Sequence, residues 1–211
     1  MAAAGAPLVV GILALQGAFA EHADMLRQLK VEPRLIRLPS ELDELDGLIL
    51  PGGESTTIGS LLRRYDFERP LLRMARLGVP ILGTCAGMIL LAREIDGAGR
   101  GLNGVGHIGA MDIVVRRNAF GRQTDSFETD LLIPAVGSEP FQAVFIRAPV
   151  IVKAGRSVTI LAELSGTGAV AAEQENLLAT AFHPELTADP RVHRYFLERV
   201  LLRRTGERVV K

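Results

Sequence analysis

The chain has a single cysteine, only four histidines and no excess of either charge. One cysteine cannot form an internal disulfide, and one cysteine with four scattered histidines makes no zinc-binding pattern, so no metal is expected. Lys+Arg and Asp+Glu each number 24, and the resulting net charge of zero provides no global field to gather nucleic acid or an anionic membrane. Association with another protein is correspondingly less penalised. No apolar run approaches the roughly 20 residues needed to cross a bilayer. The first ten residues lack a basic start and a long apolar core, which predicts a cytoplasmic protein. Internal repeats, low-complexity tracts and linkers are also missing. Apolar residues are plentiful: 48% of 211 residues can bury one sizeable core, and a single domain over 1–211 is expected.

The lone cysteine, Cys85, lies in Ile81-Leu82-Gly83-Thr84-Cys85-Ala86-Gly87-Met88, where an apolar strand-like run turns at once into a helix-like one. A sharp strand-to-helix turn strains the central residue, and glycines two positions to either side remove Cβ atoms that would meet neighbouring backbone. The sulfur would then project above the sheet. The positive end of the next helix would favour a thiolate there, and the Ala86 amide would point where an oxyanion forms. A lone cysteine is also commonly a small buried apolar residue. On this motif alone the two readings are even.

A second segment tips the balance. Leu177-Leu178-Ala179-Thr180-Ala181-Phe182-His183-Pro184-Glu185 is an apolar strand ending in a histidine and a carboxylate. Residues two apart on an extended chain face the same way, and Pro184 disfavours helix at His183. Glu185 can therefore orient the imidazole, and His183 can exchange a proton with Cys85 and with a leaving amine. A third segment, Leu48-Ile49-Leu50-Pro51-Gly52-Gly53-Glu54-Ser55-Thr56-Thr57, is a short strand running through Pro-Gly-Gly into helix-capping residues. Gly53 is placed to offer a second oxyanion amide, although Pro-Gly-Gly is also an ordinary turn.

Apolar strand-like runs at 8–14, 34–37, 47–50 and 80–83 alternate with helical patterns at 18–30, 56–65, 68–77 and 86–94. This alternation predicts an α/β fold of three layers, with a mostly parallel central sheet flanked by helices. After Gly97 the pattern becomes strand-rich, with runs at 111–115, 141–146, 150–153, 158–163 and 169–173, and this half reads as more antiparallel. A closing helix is predicted over 190–203.

Six motifs in this order resemble the glutaminase subunits of pyridoxal 5'-phosphate synthase (the PdxT/SNO family), a branch of the class I, triad glutamine amidotransferases with a flavodoxin-like sheet. They are Gly11-Ile12-Leu13-Ala14-Leu15-Gln16-Gly17-Ala18-Phe19-Ala20-Glu21-His22, Pro51-Gly52-Gly53-Glu54-Ser55-Thr56-Thr57, Gly83-Thr84-Cys85-Ala86-Gly87-Met88, Arg117-Asn118-Ala119-Phe120-Gly121-Arg122-Gln123, Phe145-Ile146-Arg147-Ala148-Pro149 and Ala181-Phe182-His183-Pro184-Glu185. The resemblance runs from about Val9 to about Val200. One departure is the glycine-rich stretch at 98–103, read as a lengthened loop after the elbow.

The resemblance implies hydrolysis of L-glutamine to L-glutamate and ammonia by a Cys85-His183-Glu185 triad, through a γ-glutamyl thioester, with an oxyanion hole at Gly53 and Ala86. It places substrate contacts on Gly53, Glu54, Ser55, Arg117, Ile146 and Arg147. Guanidinium forks suit a carboxylate, and carboxylate and hydroxyl groups suit an ammonium. Glu54 also reads as a first-turn helix residue, and each arginine, like Arg116, also reads as a surface charge. Gln16, Glu21 and His22 lie by the expected catalytic edge; Glu21 and His22 read equally as helix-cap or surface residues. The implied partner is the barrel-shaped synthase subunit (PdxS family), in a large hetero-oligomer where ammonia meets ribose 5-phosphate and glyceraldehyde 3-phosphate. No cofactor is expected in this chain. Alternatives are a class I enzyme with another acceptor, a γ-glutamyl hydrolase, or a non-catalytic binding subunit, whose signature would be a lost nucleophile or base.

Overall fold

The computed structural model describes residues 7–97, 106–120 and 126–206. The glycine-rich stretch at 98–103, and Gly121, Arg122 and Gln123 of the fourth motif, lie outside the described residues. The first half alternates as its apolar pattern predicts: β1 (Val10–Leu13), α1 (Phe19–Gln28), β2 (Pro33–Ile36), a 3-10 turn (Pro39–Leu42), β3 (Gly47–Leu50), α2 (Ser55–Arg64), α3 (Glu68–Arg76), β4 (Ile81–Thr84) and α4 (Ala86–Leu91). The second half is strand-rich: β5 (Ala92–Ile95), β6 (Met111–Arg116), β7 (Ser126–Leu131), β8 (Phe141–Ile146), β9 (Val150–Ala154), β10 (Thr159–Leu164), β11 (Gly168–Gln174) and β12 (Leu177–Thr180). A 3-10 turn (Pro184–Leu186) and α5 (Arg191–Thr205) close the described chain.

The main sheet runs β2-β1-β3-β4-β12-β11-β9-β6-β5, with β10 also paired to β11. From β2 to β12 every pairing is parallel; β12-β11, β11-β9, β9-β6 and β10-β11 are antiparallel, and β5-β6 returns to parallel. The parallel strands are buried on both faces, and alternation along each one divides the core. Leu48, Leu50 and Ile81 pack with Ile58, Leu62 and Leu71 on one face. Ile49, Leu82 and Leu178 pack with Leu26, Phe196 and Val200 of α1 and α5 on the other. β7 and β8 form a separate antiparallel pair, in which Phe127 and Phe145 stack with centroids 4.8 Å apart.

Two elements depart from the sequence pattern. The helix expected over 86–94 ends at Leu91, and Ala92–Ile95 forms β5 beside β6. Ala92, Arg93 and Glu94 suit a helix by propensity, but pairing of Ala92 with Met111 and of Ile95 with Val115 overrides it. β7 carries Glu128 and Asp130, types depleted in strands, and gains its extended form from pairing with β8.

Parallel strands share one direction, so the loops at their carboxyl ends gather along one edge of the sheet. Gln16 follows β1, Gly53 follows β3, Cys85 follows β4 and His183 follows β12. In open α/β sheets this edge is where ligands bind.

Candidate active site

Cys85 is the N-cap of α4 and holds φ at +47°, ψ at −101°. Such a conformation costs a non-glycine residue on the order of 1–3 kcal/mol and persists only where packing enforces it. The enforcement is visible in the flanking glycines. A Cβ on Gly83 would lie 2.7 Å from the Gly87 carbonyl, and one on Gly87 would lie 2.1 Å from the Leu50 carbonyl oxygen. Only glycine lets β3, β4 and α4 approach this closely. Cys85 is 6% exposed, and its Sγ is 3.8 Å from the Ile146 carbonyl oxygen. At six residues α4 is short, so the positive charge available to the sulfur comes chiefly from His183.

His183 leaves β12 extended, and its backbone N–H donates to the Val144 carbonyl at 2.8 Å, which ties it to β8. Its Nδ1 is 2.7 Å from Glu185 Oε1. Both side chains are buried. Burial alone would lower the imidazole pKa, but hydrogen bonds to Cys85 and Glu185, and the charges of both, carry it up to about 10. His183 therefore holds its proton at neutral pH. A Cβ on Gly52 would lie 2.3 Å from His183 Cε1, so the bare backbone of Gly52 is the wall against which the ring rests.

The loop after β3 is pinned at three points. Gly52 N–H donates to Thr84 Oγ1 at 3.0 Å, Ala18 N–H donates to the Gly52 carbonyl at 3.0 Å, and Glu54 N–H donates to Gln16 Oε1 at 2.9 Å. Glu54 is the N-cap of α2, one residue before the first turn, and its Oε1 accepts from the Thr56 N–H and hydroxyl. Two arginines converge on the same carboxylate: Arg117 Nη2 is 3.4 Å from Oε1, and Arg147 Nη2 is 3.5 Å from Oε2. Burial pushes the Glu54 carboxyl up, while the Thr56 bonds and both guanidiniums outweigh it and hold the pKa below its ordinary value. Arg116 points elsewhere and pairs with Asp96 at 2.7 Å.

A pocket of about 310 Å³ brings together Cys85, His183, Gly53, Glu54, Ser55, Arg117, Ile146 and Arg147. Glu185 is buried behind His183, and Ala86, also buried, begins α4 beneath Cys85. Two further residues form the wall: Asn118, which stands in the fourth motif without an assigned role, and Ile89, just past the third. The signal for Asn118 was its residue type, since asparagine tolerates the left-handed region; Cys85, Asn118 and Arg147 all hold positive φ and all line the pocket. A larger cleft, about 690 Å³, lies at the amino-terminal edge of the sheet among Asp43, Glu44, Arg69, Arg73, Leu77 and Arg203. Among the described residues its lining has no cysteine, serine, threonine or histidine.

The residues after β1 divide. Gln16 lines the pocket and Glu21 is exposed. His22 is 0% exposed, which overturns a surface or capping role. It packs beneath the site beside His193, a residue that no motif flagged.

The sequence profile of the SNO glutamine amidotransferase family matches residues 12–202 of this chain. Proteins named pyridoxal 5'-phosphate synthase subunit PdxT from Herpetosiphon aurantiacus and Pelotomaculum thermopropionicum are 58% and 55% identical to it over 190 residues, covering 90% of this chain and 99% and 94% of theirs. A crystal structure of a glutamine amidotransferase matches the fold with a TM-score of 0.84 at 47% identity, covering 90% of this chain and 98% of its own.

Proposed function

The chain belongs to the SNO glutamine amidotransferase family, and on that premise we propose that it is the glutaminase subunit of a pyridoxal 5'-phosphate synthase, releasing ammonia from L-glutamine for a synthase subunit to use. The observation that carries this reading is the convergence on one pocket of a strained cysteine, a carboxylate-held histidine and a Glu54 carboxylate flanked by two arginines. A zwitterionic amino-acid end complements that last group: its ammonium matches Glu54, and its carboxylate matches Arg117 and Arg147. Ser55 and the Ile146 carbonyl supply further polar contacts beside it.

Cys85 attacks as thiolate on the side-chain amide carbon of glutamine, and the C=O electron pair moves onto oxygen. The backbone amides of Ala86 and Gly53 receive that oxyanion; loss of one such donor typically costs on the order of 10²–10³ in kcat. His183, protonated at neutral pH and fixed through Nδ1 by Glu185, gives its proton to the departing nitrogen, and ammonia leaves. Water, deprotonated by the now neutral imidazole, attacks the γ-glutamyl thioester and releases glutamate, and Cys85 returns to its starting state.

The whole chain serves as one glutaminase domain in the cytoplasm, docked on the barrel-shaped synthase subunit in a hetero-oligomer. Ammonia release from glutamine, measured for the purified chain alone and with the synthase barrel subunit added, tests this reading. Strong activation is the expected result. Equal rates would point to another acceptor, and no release in either setting would favour a binding subunit. Cys85→Ala is expected to abolish release while leaving association with the barrel subunit intact; ammonia from that variant would sink the mechanism.

A further inference from the structure

Behind Glu185 lies a buried polar pair that the chemistry above leaves unused. His22 on α1 and His193 on α5 are both 0% exposed, and His22 Nδ1 is 2.8 Å from His193 Nε2. The other nitrogen, His22 Nε2, is 3.1 Å from Thr84 Oγ1 and 3.4 Å from Glu185 Oε2. That outer carboxylate oxygen accepts no hydrogen bond from any described residue, and His22 Nε2 is the nitrogen that faces it. We propose that His22, backed by His193, is a positioning residue: its Nε2–H holds the outer oxygen of Glu185 and, through Thr84, steadies the loop that carries Gly53.

The direction of the protons follows from counting donors. Glu185 as a carboxylate can only accept, and its Oε1 is taken by His183. With the proton on His22 Nε2, Oε2 faces a donor, His22 Nδ1 accepts from His193 Nε2–H, and His193 Nδ1 carries only a lone pair. Of the four ring nitrogens of this pair, that is the one with no hydrogen-bond partner among the described residues. Reversing the chain would let the Thr84 hydroxyl donate to His22 Nε2, but it would turn that lone pair toward Oε2 and leave His193 Nδ1–H as a buried donor without an acceptor. The pair stays neutral in this arrangement. Burial is the main cause that lowers both histidine pKa values, His193 to about 4, and for His22 the neighbouring His193 and His183 act in the same direction. The groups facing His22 are thus His193 from α5, Thr84 from β4, and His183 and Glu185 after β12. Thr84 Oγ1 also accepts the Gly52 N–H at 3.0 Å, so one imidazole touches both the orienting carboxylate and the loop opposite the nucleophile.

This inference rests on the triad reading above, and the experiment separates the two. Iodoacetamide alkylation of Cys85 as a function of pH, with kcat and KM for glutamine, is measured in the wild type, His22→Leu and His22→Gln. A wild type without pH-dependent alkylation would overturn the triad reading itself. With the wild-type profile in place, His22→Leu is expected to lower kcat about tenfold, leave KM within about twofold, and move the alkaline limb of the alkylation profile to lower pH. His22→Gln, which keeps an N–H donor near the Nε2 position, is expected to recover most of kcat. A folded His22→Leu with wild-type kcat and profile, or a Gln variant no better than Leu, would overturn the proposal. Nitrogen NMR of the wild-type imidazoles covers the case in which neither variant folds. A neutral Nε2–H tautomer for His22 across the neutral range is required, and an Nδ1–H or charged ring would overturn the assignment.

Discussion

Glu54 and Glu185 show how burial decides what a carboxylate does. Glu54 stands at the pocket mouth, 40% exposed at its side chain and shared by two arginines, so its charge is available to a ligand. Glu185, with a side chain 0% exposed, lies between two imidazoles, and its hydrogen bond and charge help His183 keep its proton. Removing the carboxylate charge therefore loosens the acid, whereas removing the imidazole deletes it. Glu185→Gln is expected to retain about 10–10² times more kcat than His183→Asn, because losing an orienting group usually costs less than losing the base. Equal defects in steady-state assays would show that Glu185 does more than orient. Cys85, His183 and Glu185 were legible in the sequence because each is a reactive residue closing an apolar run. His193 was not, since at its place in α5 it reads as one more helical residue. Gly52 was visible in its motif, but its role as the wall behind His183 arises only when the loops after β3 and β12 meet.

At the scale of elements, the site depends on three backbones meeting at Gly83 and Gly87. Replacing Gly87 by alanine would gain about 1 kcal/mol of helix propensity. The added Cβ would also fall 2.1 Å from the Leu50 carbonyl oxygen, a backbone atom of a central strand that cannot step aside. Overpacking typically costs about 1–3 kcal/mol, and a 2.1 Å approach to a fixed backbone oxygen belongs at the top of that range, which exceeds the propensity gain. Gly87→Ala should lose roughly 2 kcal/mol net, a drop in Tm of about 4–8 °C, and should lose activity disproportionately because Cys85 rides on the displaced turn. A thermal melt matching the wild type would refute this account of the elbow. The parallel half of the sheet was readable because buried strands and amphipathic helices differ in period. β5 and β7 were not: the short apolar run in α4 leads into helix-favouring Arg93 and Glu94, and β7 alternates around Glu128 and Asp130, so each is extended only because a partner strand lies alongside.

For the whole molecule, the buried histidines set opposing limits on stability against pH. His193 has its native pKa lowered to about 4 by burial, and His22 is lowered too, so between that value and the unfolded value near 6.5 the unfolded chain binds protons that the native state refuses. Stability from this pair is full above about pH 6.5 and is lost on acidification, with His193 alone contributing on the order of 3 kcal/mol over the shift from 6.5 to about 4. His183 has the reverse sign. Its pKa is raised to about 10, so its contribution is full below about 6.5 and is lost as pH rises through 10. The depressed carboxyls Glu41, Glu54 and Asp189 act only below their own unfolded values, near 4.5 and 3.8, which leaves the decline from about pH 6.5 to 4.5 to the histidines. Urea unfolding across this range should show a maximum near pH 6.5, falling on both sides. In His193→Phe the acid side should become shallower, with the slope that remains due to His22, while the alkaline side keeps its slope, since His183 and Glu185 are untouched. An unchanged acid slope in that variant would mean that His193 is solvated in the native protein, and the buried pair behind Glu185 would lose its physical basis.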